Sequence, residues 1–175
     1  MNFVVRRIDP ASESEVALVA TRMRDTLIEV LGEQRGGEMY SHEWLVDRVQ
    51  WHLDPSNVVG EVYVSEQEDG EISGHTILRV QSDELFGRHG LFSTFYVLPR
   101  FRNTGIAAKF VEIGEKWMRD NRLQRAMTYT AIDNERLQGF LKRRGYEVVL
   151  EKDDMVALSK NLTVPVEGQM VQTEG

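Results

Sequence analysis

The sequence predicts an α/β fold, a single layered domain in which helices flank a central sheet, and three observations predict it. Short segments rich in β-branched and aromatic residues alternate with segments whose apolar residues recur every three or four positions. One strand, Gly90 to Val97, is stopped by Pro99 and followed by a turn carrying two arginines and a helix that begins at a glycine. At 175 residues the chain is long enough to bury a substantial core and too short for two domains of usual size.

Taken in order, Phe3 to Arg7 reads as a first strand, stopped by Asp9-Pro10. Ser12 and Glu15 form a capping box for a helix whose Val16, Val19, Met23, Leu27 and Val30 share one face, and Gly32 ends it. Residues 32–40, with two adjacent glycines, read as a polar loop before a second helix over Ser41 to His52, which Asp54-Pro55 closes. Strands at Val58 to Glu66 and Glu71 to Val80 form a hairpin through the turn at 67–70. In the second of these, Ile72, Gly74, Thr76 and Leu78 alternate imperfectly with Ser73, His75, Ile77 and Arg79, which predicts partial cover on both faces. Beyond Gly90 to Val97, the spacing of Ile106, Phe110, Ile113 and Trp117 predicts a helix with one buried stripe, capped by Asn103 and Thr104. Ala126 to Ile132 is a fifth strand, followed by a helix opened by Asp133 and running to Arg143, with Gly145 in its C-terminal turn. Tyr146 to Glu151 and Met155 to Lys160 are the last strands, so the domain spans residues 1–162 and residues 163–175 form a flexible tail.

Composition sets limits on function. Without cysteine there is no disulfide, no thiolate zinc site and no cysteine nucleophile. The charged N-terminal residues and the lack of a membrane-length apolar run predict a soluble, cytoplasmic protein. Residues 1–88 hold 8 Lys/Arg against 17 Asp/Glu, and residues 89–175 hold 13 against 11. That asymmetry fits a protein binding an anionic cofactor through one part and a cationic acceptor through another; it equally fits carboxylates that only solubilise the domain. A net charge of −7 makes nucleic acid a poor partner.

The turn Pro99 to Ala107 carries the chemistry. A helix N-terminus exposes free N–H groups and the positive end of its dipole, so it receives anions. Gly105 leaves the first turn without a side chain, so the N–H groups of Gly105, Ile106 and Ala107 lie open to close approach. Arg100 and Arg102 bring charge for phosphate oxygens. The expected ligand is a diphosphate; the alternative is an ordinary turn glycine beside solvated arginines.

With these residues the sequence resembles the GNAT superfamily of acyl-CoA-dependent N-acetyltransferases. Val97, Pro99, Arg102, Gly105 and Ala107 fill the specified positions of that family's V-x-P-x-x-[RQ]-x-x-G-x-[GA] signature. Asn134, Phe140, Gly145 and Tyr146 match a second family segment, whereas Leu137 stands where a small residue is usual and Leu141 where the family often has tyrosine. The resemblance implies a mixed, mostly antiparallel sheet in the order β-α-α-β-β-β-α-β-α-β-β, and acetyl-CoA as co-substrate. It further implies that a gap between the fourth and fifth strands admits the pantetheine arm. Phe95 and Val97 would hold that arm through backbone groups and Asn134 through its amide, Phe140 would pack beside it, and Arg102, Asn103, Thr104, Gly105, Ile106 and Ala107 would form the diphosphate turn.

Transfer to an amine needs a route for the ammonium proton and a donor for the carbonyl oxygen. His75, Glu61 and Glu43 are candidate bases, and Ser93 a residue that could hold a relaying water. Leucine at 141 cannot protonate the departing thiolate, so Tyr96, Tyr129 or Tyr146 takes that part, or the thiolate leaves unaided. The acceptor is expected to be a small-molecule or peptide amine, cationic because Glu33, Glu38 and Glu43 are acidic. Two other readings stay open: a non-catalytic acyl-CoA-binding module of the same fold, and a nucleotide-binding protein, although the P-loop and three-glycine fingerprints are missing. A homodimer exchanging Leu162 to Val166 is also considered.

Overall fold

In the computed structural model, which describes residues 2–163, seven strands form one sheet in the order β1-β2-β3-β4-β5-β7-β6. They are β1 (Phe3–Arg7), β2 (Gly60–Gln67), β3 (Ile72–Asp83), β4 (Gly87–Val97), β5 (Arg125–Ala131), β6 (Glu147–Lys152) and β7 (Met155–Asn161). Every neighbouring pair is antiparallel except β4 and β5, which run parallel. The helices are α1 (Glu13–Leu31), α2 (Glu33–Glu38), α3 (His42–Leu53), α4 (Ile106–Asp120) and α5 (Glu135–Lys142). The mixed, mostly antiparallel sheet between helices is the architecture expected from the sequence.

Two apolar layers follow from strand alternation. On one face Val16, Val19 and Met23 of α1 and Leu45 and Val49 of α3 pack on Val62, Val64 and Ile77. On the other face, Val111, Trp117 and Met118 of α4 pack on Leu78 and Phe92, with Leu141 of α5 in the same cluster. Each such side chain stabilises the fold by about 1.5–3 kcal/mol on burial. The stripe expected on α4 is present, although Ile113 is only half-buried.

Four expectations need correction. Residues 33–38 are helical, because Gly36 lets this short helix approach α1 so closely that a Cβ there would sit 2.3 Å from the Leu27 carbonyl oxygen. The β3–β4 hairpin is longer at its tip than expected, with Asp83 paired to Gly87. Asn134, not Asp133, caps α5, its side chain accepting from Leu137 N–H. Neither Asn103 nor Thr104 caps α4: Gly105 holds that position at φ 93°, with no side-chain cap. The expected tail and most of the Leu162–Val166 segment lie outside the described residues. Among the described residues no helix is long and apolar enough to cross a membrane.

Candidate active site

β4 and β5 pair over only three positions, Gly90 with Ala126, Leu91 with Met127 and Phe92 with Thr128, and then part. Two features end the ladder. In the β3–β4 register Thr94 faces Ile77 and Phe92 faces Leu78, so Ser93 is an extra, bulged residue that bends β4. Thr128 Oγ1 also donates to the Phe92 carbonyl at 2.9 Å, where the last rung would otherwise continue. Beyond Ser93 the edge of β4 that faces β5 has no strand partner among the described residues. The N–H of Leu98 bonds across to Ser73 O at 2.9 Å. Since backbone groups of an antiparallel strand alternate in direction, those of Val97 and Phe95 point the other way, into the gap.

At the C-terminal end of β4 a 3-10 turn, Pro99–Phe101, leads into the α4 N-terminus. The first bond of that helix runs from Lys109 N–H to Gly105 O at 3.0 Å, so the N–H groups of Ile106, Ala107 and Ala108 have no partner within it. A Cβ built on Gly105 would meet no described residue within 4 Å, so among these residues the space beside the turn is open. Asn103 stands at φ 63°, and the Thr104 hydroxyl donates to the Phe101 carbonyl.

The two arginines of the turn are engaged elsewhere. Arg100 pairs with Glu71. Arg102 donates from Nε to the Val97 carbonyl at 2.8 Å and from Nη2 to Glu29 of α1 at 2.6 Å. Its guanidinium thus braces the end of β4 against α1, and the amides of the neighbouring turn carry the positive end of the α4 dipole, which attracts anions. Asn134 is similarly occupied: Oδ1 accepts from Leu137 N–H at 3.3 Å and Nδ2 donates to Thr130 Oγ1 at 2.9 Å, leaving one amide N–H for a ligand. Phe95 stacks on Phe92 at 4.6 Å between centroids, and Phe140 lies half-buried beneath the Arg144 guanidinium.

The candidate bases fare poorly. His75 is buried beneath α1, its Nε2 without a hydrogen bond among the described residues, and burial together with the nearby Arg22 lowers its pKa to about 3. Such a ring is neutral at pH 7 but too weak and too enclosed to collect a substrate proton. Glu61 lies on β2, two strands from β4, and shares the α4 face with Tyr63; it pairs with Arg7 at 3.3 Å, and burial raises its pKa. Glu43 is exposed in the first turn of α3. Of the four catalytic candidates, Ser93 alone stands at the mouth of the gap.

Tyr146 is corrected as an acid. It is 2% exposed, and its hydroxyl donates to Glu115 of α4 at 3.0 Å, while Lys160 meets the same carboxylate at 2.8 Å. Burial, with the Glu115 charge second, raises its pKa far above the usual phenol value. This trio is a pin between α4 and β7. Tyr96 is also buried, 6.1 Å between ring centroids from His75. Leu141 is fully buried in the core and supplies no acid. Tyr129, half-exposed, is the first β5 residue past the paired segment, level with Ser93; burial and then Asp83 raise its pKa, so it holds its proton.

One arrangement escaped the sequence reading. Arg79 Nη1 lies 3.1 Å from Ser93 Oγ and 3.1 Å from His52 Nε2, while its Nε donates to Gln81 Oε1 at 3.0 Å. His52 Nδ1 lies 2.8 Å from Arg48 O, which fixes the tautomer so that Nε2 accepts. The available signal was a charge within the apolar run Ile77-Leu78-Arg79-Val80. Further along the same side, an open hollow of about 550 Å³ is lined by Leu31 to Arg35 and Glu38.

Residues 22–146, more than half of the chain, match the acetyltransferase (GNAT) family. PaiA N-acetyltransferase from Thermoplasma acidophilum, solved in complex with coenzyme A, is similar with a TM-score of 0.73 and 15% identity, over 92% of this chain and 99% of its own. A chain of the NatC complex bound to Gag peptide and CoA gives 0.73 and 17%, over 93% and 100%. An acetyltransferase of the GNAT family from Streptococcus pneumoniae gives 0.64 and 16%, over 91% and 99%. At these identities the likeness is one of fold. No curated protein is a significant sequence match to this chain.

Proposed function

Because the chain belongs to the acetyltransferase (GNAT) family, we propose that it moves the acetyl group of acetyl-CoA to a primary amine by direct attack in a ternary complex. One observation carries the reading: the strand gap lined by the backbone of Phe95 and Val97 opens beside the amides that follow Gly105, which have no partner among the described residues. A long thioester with a diphosphate at one end suits a slot joined to an anion-binding turn.

The chain's own groups have distinct parts. The N–H groups of Gly105, Ile106 and Ala107 take the diphosphate, with Asn103 and Thr104 shaping the turn and Arg102 holding it against α1. Phe95, Val97, the free N–H of Asn134 and the ring of Phe140 hold the pantetheine arm. Acetyl-CoA supplies an activated carbonyl. An N–H of β4 that faces the gap donates to its oxygen, where a positioned donor is worth about 10²–10³ in rate. The ammonium loses one proton through a water held at Ser93 before attack; the free amine then forms the C–N bond as the C–S bond breaks, and its second proton leaves by the same route and replaces the one that Tyr129 gives up. Tyr129, protonated at the rim of the gap, donates to the departing sulfur in place of a tyrosine at 141. The acceptor arrives as its ammonium, drawn by Glu33, Glu38 and Glu43, all exposed on α2 and α3.

The competing reading, a non-catalytic acyl-CoA-binding module, is favoured by the buried leucine at 141. Purified protein given acetyl-CoA and a broad amine panel separates the two. Release of free thiol with one acceptor supports the transferase; binding of acetyl-CoA by calorimetry with no amine consumed supports the module.

A further inference from the structure

Several arginines around the sheet have carboxylate partners: Arg6 lies between Glu15 and Glu66, Arg7 meets Glu61, Arg100 meets Glu71 and Arg102 meets Glu29. Arg79 differs. Among the described residues no carboxylate lies within 4 Å of it, and its partners His52, Gln81 and Ser93 are all neutral. Its Nη2 makes no hydrogen bond to a described residue. The residue is half-buried, and burial and the neighbouring Arg48 both lower its pKa, so its charge is held without compensation in a chain of net charge −7. A guanidinium stays ionised in such a place, and taking it from water without a counter-charge is costly unless an anion arrives. Its orientation is fixed, because His52 Nε2 and Gln81 Oε1 grip two edges of the fork and leave the third open.

The location gives this charge a use. Ser93, whose Oγ accepts from Arg79 Nη1, is the first residue of β4 beyond the pairing with β5, where the amine must meet the thioester. An anion seated on Nη2 would therefore sit on the guanidinium that already touches Ser93.

We propose that the acceptor is a small amino-acid-like molecule, an amine bearing a nearby carboxylate or equivalent oxyanion, and that Arg79 binds that anion. The inference rests on the transferase reading above. It is compatible with the acidic rim, since such a molecule carries an ammonium as well.

Steady-state thiol release with free amino acids, their carboxamides and polyamines tests it, using the intact protein and its Arg79→Gln and Arg79→Lys variants. The wild type is expected to prefer the carboxylate form over its amide by about 10- to 100-fold in kcat/KM, the range for a charge-assisted contact. Arg79→Gln should erase that preference through KM, Arg79→Lys should restore part of it, and calorimetry should give the same acetyl-CoA affinity in all three. Equal use of amides or polyamines by the wild type would overturn the inference, as would a preference surviving in Arg79→Gln. The wild-type comparison stands even where a variant fails to fold. If acetyl-CoA binds and no amine is consumed, the transferase reading itself falls, and that result is distinct from transfer without carboxylate preference.

Discussion

At the scale of single residues, burial separates side chains that titrate from those that only look able to. His75 and His52 are held neutral by the fold, with pKa values lowered to about 3 and about 4, chiefly by desolvation. Unfolded, both would take a proton near pH 6.5. Between pH 6.5 and 4 the unfolded state therefore binds more protons, and stability falls as pH falls, by up to about 1.4 kcal/mol per unit for each ring. Urea midpoints measured from pH 7 to 4 should drop, and His75→Leu should flatten part of that slope. The same burial removes His75 from catalysis, so kcat/KM should rise with pH as the acceptor amine deprotonates, with no inflection lost in the variant. Tyr129 is the opposite case, half-exposed and protonated at the rim of the gap. Tyr129→Phe should lower kcat by about 10²-fold, the lower range for a general acid, with acetyl-CoA affinity unchanged by calorimetry.

At the scale of elements, α4 matters through its first turn. Gly105 holds φ 93°, a conformation that costs an L-residue roughly 1–2 kcal/mol, and a methyl group there would enter the open space before the free amides. Gly105→Ala should weaken acetyl-CoA at least about tenfold by calorimetry while lowering the melting temperature modestly. Unchanged affinity would mean that the diphosphate lies elsewhere. The helix and its glycine were legible in the sequence because apolar spacing and turn chemistry are local. The duty of Arg102 was not, since its partner Glu29 lies 73 residues away and only the packing of α1 brings them together. Helix α2 was hidden for a related reason: Gly36 and Gly37 suit a loop by propensity, and a close contact with α1 overrides that preference. The bulge at Ser93 is a property of cross-strand register, which no single segment encodes, and with it went the Arg79 and His52 cluster.

At the scale of the whole molecule, the uneven charge of the chain becomes a division between two sides of one gap. The acidic first half supplies α1 and α3, which sit on the sheet face of Arg79, and α2 beside α1, while the second half supplies the glycine turn and α4 on the other. An incoming molecule with both an ammonium and an anion would feel the exposed carboxylates first at long range, and the Arg79 guanidinium, which has no carboxylate partner among the described residues, only once inside. Long-range attraction of this kind is screened by salt, whereas a desolvated contact is screened far less. Replacing Glu33, Glu38 and Glu43 together by glutamine should therefore raise the acceptor KM by about three- to tenfold at low ionic strength, with the difference shrinking as salt approaches ~0.5 M. Acetyl-CoA affinity should stay unchanged, because the amides after Gly105 lie on a separate element. Kinetics at several salt concentrations measure this directly, and a loss of acetyl-CoA affinity in the triple variant would put the acidic rim on the cofactor side instead.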